Sequence, residues 1–136
     1  MTPDVIIIGG GLHGCSAALH LAMRGRRALV IEKNTVGRHA SGVNGGAVRR
    51  LWRNPAEIPL ACASQELWHG IRGLVDDDCG FRVSGILKLA ENDQDMAILE
   101  ERARLVRGLG FDHEEMIGPD EARRLVPTTP NVAGGL

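Results

Sequence analysis

Three glycines carry the first spacing in this chain that can do chemistry. Gly9, Gly11 and Gly14 form a G-x-G-x-x-G pattern directly after the apolar run Val5–Ile8. A β-branched run of that kind suits a strand buried on both faces of a parallel sheet. Gly9 permits the tight turn out of the strand. Gly11 bares the backbone so that it can approach a pyrophosphate, and Gly14 lets the next helix pack closely on the strand. Leu12 and His13 lie inside the pattern and count with the glycines as positions that would touch the phosphates.

The elements that must position these groups are legible around them. A helix is predicted from Leu12 to Arg24, with Cys15, Ala18, Leu19 and Ala22 on one face. Gly25 stands where a left-handed C-terminal residue belongs. The helix N-terminus would aim free N–H groups and its positive dipole end at the phosphates. A second strand, Ala28 to Ile31, runs into Glu32. An acidic side chain ~20 residues beyond the glycines accepts hydrogen bonds from a ribose, and its charge disfavours a 2′-phosphate. Lys33, next in the chain, is grouped with it as a cofactor-side residue. The fold class is therefore α/β, with a Rossmann-like βαβ unit at its start.

The stretch from Lys33 to Gly46 does not read as another helix of the same sheet. It holds Gly37, His39, Ala40, Ser41, Gly42, Asn44, Gly45 and Gly46. Small residues with available N–H donors suit a backbone that passes close to a second part of the cofactor. That favours FAD over NAD.

In Glu32, Gly37, Ala40-Ser41-Gly42, Asn44 and Gly45-Gly46 the chain resembles the D-amino-acid-oxidase-like flavoproteins, the family of glycine oxidase, sarcosine oxidase and dimethylglycine dehydrogenase. The resemblance is most specific over residues 4 to 50. It implies FAD as cofactor, Glu32 on the adenosine ribose, and Gly9, Gly11 and Gly14 around the pyrophosphate. It places Ser41, Gly42, Asn44 and Gly45 near the pyrophosphate and the isoalloxazine. It also implies an arginine that grips a substrate carboxylate, with Arg49 as the match and Arg50 as the fallback. A planar guanidinium suits that task. The other reading is that Arg49, Arg50 and Arg53 are solvated or bind structural carboxylates. His39 precedes Ala40-Ser41-Gly42 as a covalent flavin attachment site does in some relatives; otherwise it lies near the flavin or is a polar loop residue.

The activity implied is oxidation of a CH–NH bond in a small amino acid or N-methyl amino acid. A hydride passes to the flavin and the resulting imine hydrolyses. No catalytic residue is assigned. The same fold also serves 2-hydroxy acids and glycerol phosphate, and a non-catalytic nucleotide-binding module or subunit is the alternative of a different class. The resembling enzymes are several hundred residues long, so the chain reads as their N-terminal fragment, completed by further sequence or a partner subunit. Residues 1–55 are assigned to the FAD-binding domain, and 56–136 to a linker helix and the start of an α+β substrate domain.

Beyond the glycine segments, a helix is predicted over residues 54–75, with Asn54 as cap, Pro55 in its first turn and Pro59 disturbing its start. Leu60, Leu67, Trp68, Ile71, Leu74 and Val75 would share a face. Asp76-Asp77-Asp78 reads as an acidic loop rather than a metal site, because three consecutive side chains do not converge on one ion. Residues 81–90 read as a strand interrupted at Gly85. Residues 93–107 read as an amphipathic helix capped by Asp93, with Met96, Leu99, Ala103 and Val106 inward. A short strand near 113–117 and a helix over 119–125 follow.

Composition narrows the function classes. With 16 basic and 17 acidic residues the net charge is −1, which gives no support for nucleic acid as a partner. Aromatic residues make up only 3 %, with no Tyr, so base-stacking platforms are not expected. No apolar run reaches transmembrane length. No signal peptide is read, and three scattered cysteines fit a reducing, cytoplasmic setting. Cys15, Cys62 and Cys79 are each expected to be small buried or half-buried residues.

Overall fold

The computed structural model describes residues 2–129 and 131–136. The chain divides into two compact units, one ending at Ala47 and the other formed by Val48–Leu136.

The first unit is a βαβ motif. Strand β1 (Val5–Ile8) and strand β2 (Ala28–Ile31) pair in parallel, Val5 opposite Ala28 and Ile8 opposite Ile31. Helix α1 (Leu12–Met23) connects them. Its end is closed as the sequence implied. Gly25 takes φ +71°, and the N–H groups of Gly25 and Arg26 donate to the carbonyls of Ala22 and Leu21. The Asp4 carboxylate clamps the open end of the pair. It accepts from the Arg27 backbone N–H and from the Arg27 guanidinium at 3.0 Å.

One expectation fails here. The β1 run is not buried on both faces. Helix α1 lies against Ile7, whereas Ile6 and Ile8 on the other face are 58 % and 90 % exposed. Leu29 and Ile31 of β2 are exposed beside them. Ala22, placed on the packing face of α1, is exposed as well.

The second unit begins with an arginine-rich turn and a short 3₁₀ segment, Pro55–Glu57, whose Asn54 cap accepts from Ala56 N–H at 3.0 Å. Helix α2 (Ile58–His69) and helix α3 (Ile71–Val75) follow, separated at Gly70. The single long helix expected over 54–75 is thus three pieces, with Pro59 in the first turn of α2. Its inward face is also corrected in part. Trp68, Ile71 and Leu74 are half-buried as expected and Ile58 is fully buried, while Leu60, Leu67 and Val75 are exposed. Beyond α3, the Asp77 and Asp78 carboxylates accept from the N–H groups of Cys79 and Gly80, so they shape the turn. Cys79 is exposed, contrary to expectation.

Of the strand expected over 81–90, only β3 (Leu89–Ala90) forms. Gly85 has φ +76°, and Val83 and Ile86 are exposed. Strand β3 pairs antiparallel with β4 (Gly134–Gly135), an element with no sequence signal. The strand near 113–117 reduces to one bridge, Ile117 to Gly135. Helix α4 (Asp93–Gly108) is capped by Asn92 rather than Asp93, through the Asp95 N–H. Its predicted face is right: Leu99, Ala103 and Val106 are buried. Helix α5 (Pro119–Leu125) closes the set. The core gathers Ala90, Leu99, Ala103 and Leu136, with Leu51, Trp52, Met96 and Met116 packed against it.

Candidate functional site: a glycine cradle and an arginine turn

The first unit presents a small cleft of about 180 Å³ lined by Gly11, Glu32, Gly37, Arg38, His39, Ala40 and Ser41. Its floor is the glycine turn. Gly9 has φ +104°, which swings the chain from β1 into α1. A Cβ on Gly14 would stand 2.0 Å from the Gly9 carbonyl oxygen, so only glycine permits this strand-to-helix approach. A second close approach has the same origin. A Cβ on Gly42 would fall 2.2 Å from the Gly37 carbonyl oxygen.

Glu32 joins the end of β2 to the glycine turn. The Gly10 N–H donates to its Oε2 at 2.8 Å, and the Asn34 N–H donates to its Oε1 at 2.9 Å. These bonds, that from Gly10 first, hold its carboxyl below the ordinary value of 4.5, with the His39 ring adding a smaller electrostatic pull. Each carboxylate oxygen keeps further lone-pair capacity. An ionised acceptor for a diol therefore faces the cleft. Ser41 closes the other wall, its Oγ accepting from the Leu12 N–H at the start of α1 at 2.8 Å. The Gly37 N–H donates to the Gly10 carbonyl, fastening the loop to the turn.

The remaining expected residues are distributed differently. Leu12, His13 and Lys33 are exposed and do not line the cleft. Asn44 serves its own loop. Its Nδ2 donates to the Ser41 carbonyl at 2.6 Å, and its Oδ1 accepts from the Gly46 N–H at 2.7 Å. Gly45 and Gly46 stand in that same turn. His39 shares the cleft with Glu32, its Nε2 lying 3.5 Å from Asn34 Nδ2. Arg38 and Asn34 were not singled out from the sequence. A charged or amide residue in a glycine-rich loop carries no spacing signal of its own.

Arg49 and Arg50 belong to the second unit. The Arg49 guanidinium donates to the Leu51 carbonyl, and Arg53 Nε donates to the Arg49 carbonyl at 3.3 Å. Next to this turn lies a buried ionic cluster that the sequence did not disclose. Arg102 Nε and Nη2 donate to Glu114 Oε2 and Oε1 at 2.7 and 2.9 Å. The Trp52 N–H donates to Glu114 Oε1 at 2.8 Å. Burial pushes the Glu114 carboxyl up, but the Arg102 guanidinium and the Trp52 N–H outweigh it and leave the group below its ordinary range. Burial, with the Arg50 charge, holds His113 below its usual value, and His113 Nε2, 3.9 Å from Glu114 Oε1, is buried without a hydrogen-bond partner among the described residues.

A wider hollow of about 350 Å³ lies in the second unit, lined by Glu91, Asn92, Asp93, Arg123 and Asn131 to Ala133. It has no glycine cradle and brings no expected site residue together. Among the described residues, no cluster of His, Cys, Asp or Glu could hold a metal ion, and no helix is long and apolar enough to cross a membrane.

The model of the DAO family, described as FAD dependent oxidoreductase, matches residues 4–136. The chain belongs to that family. Its cradle fits the family's cofactor, because the close approaches at Gly14 and Gly42 and the ionised Glu32 suit the ADP half of FAD. The chain is 28 % identical over 140 residues to gamma-glutamylputrescine oxidoreductase of Escherichia coli (strain K12), covering 93 % of this chain and 33 % of that protein. It is 32 % identical over 131 residues to glycine oxidase of Bacillus licheniformis, covering 91 % of this chain and 34 % of that one. The solved structure of L-proline dehydrogenase from P. horikoshii superposes with a TM-score of 0.85 at 26 % identity, over 98 % of this chain and 36 % of that one. The chain thus spans about a third of the length of the relatives it matches.

Proposed function

We propose that this chain is the N-terminal part of an FAD-dependent oxidoreductase that oxidises the CH–NH bond of a small amino acid or N-methyl amino acid. The observation that carries the reading is the Glu32 carboxylate, ionised and tied to the Gly10 N–H at the mouth of the glycine turn. Around it, Gly9, Gly11 and Gly14 would lie along the pyrophosphate, with the N-terminus of α1 offering N–H donors. Glu32 would accept from the ribose hydroxyls. Ser41 and Gly42 would follow the phosphates, and His39 would stand at the ribose end without a covalent bond to the flavin.

Bound FAD supplies the two-electron acceptor for the hydride of the C–H bond beside nitrogen. The nitrogen loses its proton, and water converts the imine to a carbonyl compound and an amine. Arg49, or Arg50 in its place, would hold the substrate carboxylate by a charge-assisted fork. The names of the relatives, a glycine oxidase and an L-proline dehydrogenase among them, support an amino-acid substrate.

The test is turnover of the natural full-length protein with an artificial electron acceptor. Glycine, sarcosine and L-proline are compared with 2-hydroxyglutarate and glycerol 3-phosphate. Turnover of an amino acid is expected, read as ammonia from glycine, as methylamine or formaldehyde from sarcosine, and as a cyclic imine from L-proline. Turnover confined to the hydroxy compounds would move the protein to C–OH chemistry. Turnover of a plain diamine, which carries no carboxylate, in place of every amino acid would leave the CH–NH chemistry standing and remove the carboxylate grip.

A further inference from the structure

We propose that Glu114 is a positioning residue for the arginine turn 49–53, fixing the direction in which its guanidinium groups are presented. The inference rests on the reading that an arginine of this turn holds the substrate carboxylate.

Trp52 has φ +58°, a left-handed conformation that a bulky side chain adopts only when its surroundings hold it there. The surroundings are on both sides. The Trp52 N–H is held by Glu114 Oε1 across 62 residues of sequence, and the Lys88 ammonium sits 3.5 Å from the centre of its ring. The Glu114 side chain is fully buried, and its other partner is the Arg102 fork. A buried ion pair is by itself weak support for stability, since desolvation offsets much of the attraction. This pair does something a hydrophobic pair could not: it offers an ionised acceptor to one backbone N–H in the middle of the turn.

Leu51 and Trp52 also pack against the core, and within the turn two arginine side chains bond to backbone carbonyls. Arg49 reaches forward to the Leu51 carbonyl, and Arg53 reaches back to the Arg49 carbonyl. Both bonds depend on the backbone direction at residues 51 and 52, which is the direction set at Trp52. Releasing the Trp52 N–H therefore frees the carbonyl that Arg49 holds and the main chain on which Arg50 and Arg53 stand. Glu114 does not touch substrate; it acts through the turn.

The experiment uses the natural full-length flavoprotein. Acetate serves as the probe, titrated through the change in the flavin spectrum. Arg49→Lys, Arg50→Lys and Arg53→Lys establish whether this turn binds the carboxylate at all. Glu114→Gln keeps an oxygen for Trp52 but removes the charge. It is expected to weaken acetate about tenfold, a size typical of coupled neighbours, and to raise KM for the amino acid more than it lowers kcat. Flavin content should stay at the wild-type level, which separates positioning from general damage. If Glu114→Gln does not hold flavin, Glu114→Asp decides in its place, because it keeps the charge beside Arg102 but draws the acceptor back by one methylene from the Trp52 N–H. Acetate binding lost in an arginine variant but unchanged in the Glu114 variant would overturn the proposal. Unchanged acetate binding in all three arginine variants would overturn the arginine reading and the proposal with it.

Discussion

Glu32 has two tasks, and they can be separated by substitution. Within the protein it ties the glycine turn to the end of β2; toward the cofactor it is the proposed acceptor for the ribose. Glu32→Gln retains one oxygen acceptor and loses the charge. FAD affinity is expected to fall roughly 10- to 100-fold, the range for a hydrogen bond to a charged group, as read by fluorescence titration. The sign of the pH effect follows from the depressed carboxyl. The favourable charge is fully present above 4.5 and is lost only as pH falls through the lower value of the folded protein. FAD affinity should therefore be flat from neutral pH down to that range and decline below it. The position of Glu32 against the glycine turn was legible, because an acid at that distance from three glycines ends the second strand of a βαβ unit. Ser41 was legible as part of a small-residue segment, but its bond to the Leu12 N–H was not. Arg38 in the cleft and Glu114 in the core gave no signal, since neither sits in a motif and each is placed by partners far along the chain.

At the level of elements, the βαβ unit is specified locally and the second unit is not. Apolar runs, a glycine turn and a helix C-cap fixed β1, α1 and β2 to within a residue or so. Gly14→Ala tests that geometry. The added Cβ would meet the Gly9 carbonyl at 2.0 Å and must push the helix off the strand. A loss of about 1–3 kcal/mol is expected, the usual cost of forcing an atom into a filled site, measured by denaturant unfolding. Helix α4 was legible for the same local reason, and Leu99→Ala on its buried face should cost about 2–5 kcal/mol. The strand expected over 81–90 failed because its pairing partner is remote. Gly85 turns the backbone away, and among the described residues the strand pairing is left to Lys88 to Ala90, against residues 133–136. Two glycines in β4 carry no strand propensity, so only the pairing reveals them. The helix expected over 54–75 held its inner face at Trp68, Ile71 and Leu74 and lost it at Leu60, Leu67 and Val75, because one continuous periodicity does not survive the breaks near Pro59 and at Gly70.

For the whole molecule, acid should act through the buried cluster of the second unit. His113 binds its proton more weakly folded than unfolded, so stability is lost as pH falls below 6.5 toward the folded value. Glu114 contributes stability above 4.5 and loses it as pH falls through its own depressed value. The two effects have the same sign and begin in different windows. Urea unfolding across pH should show both, and His113→Gln should flatten the upper window alone. A profile in which His113→Gln leaves the upper window unchanged would remove His113 from this account.

The most direct measurement of the central claim is an anaerobic titration of the natural full-length protein, followed by its visible spectrum. The account expects bound FAD whose absorption bands are lost on adding glycine, sarcosine or L-proline. A protein that carries no flavin, or whose flavin bands are lost with 2-hydroxyglutarate and not with any amine, would contradict it.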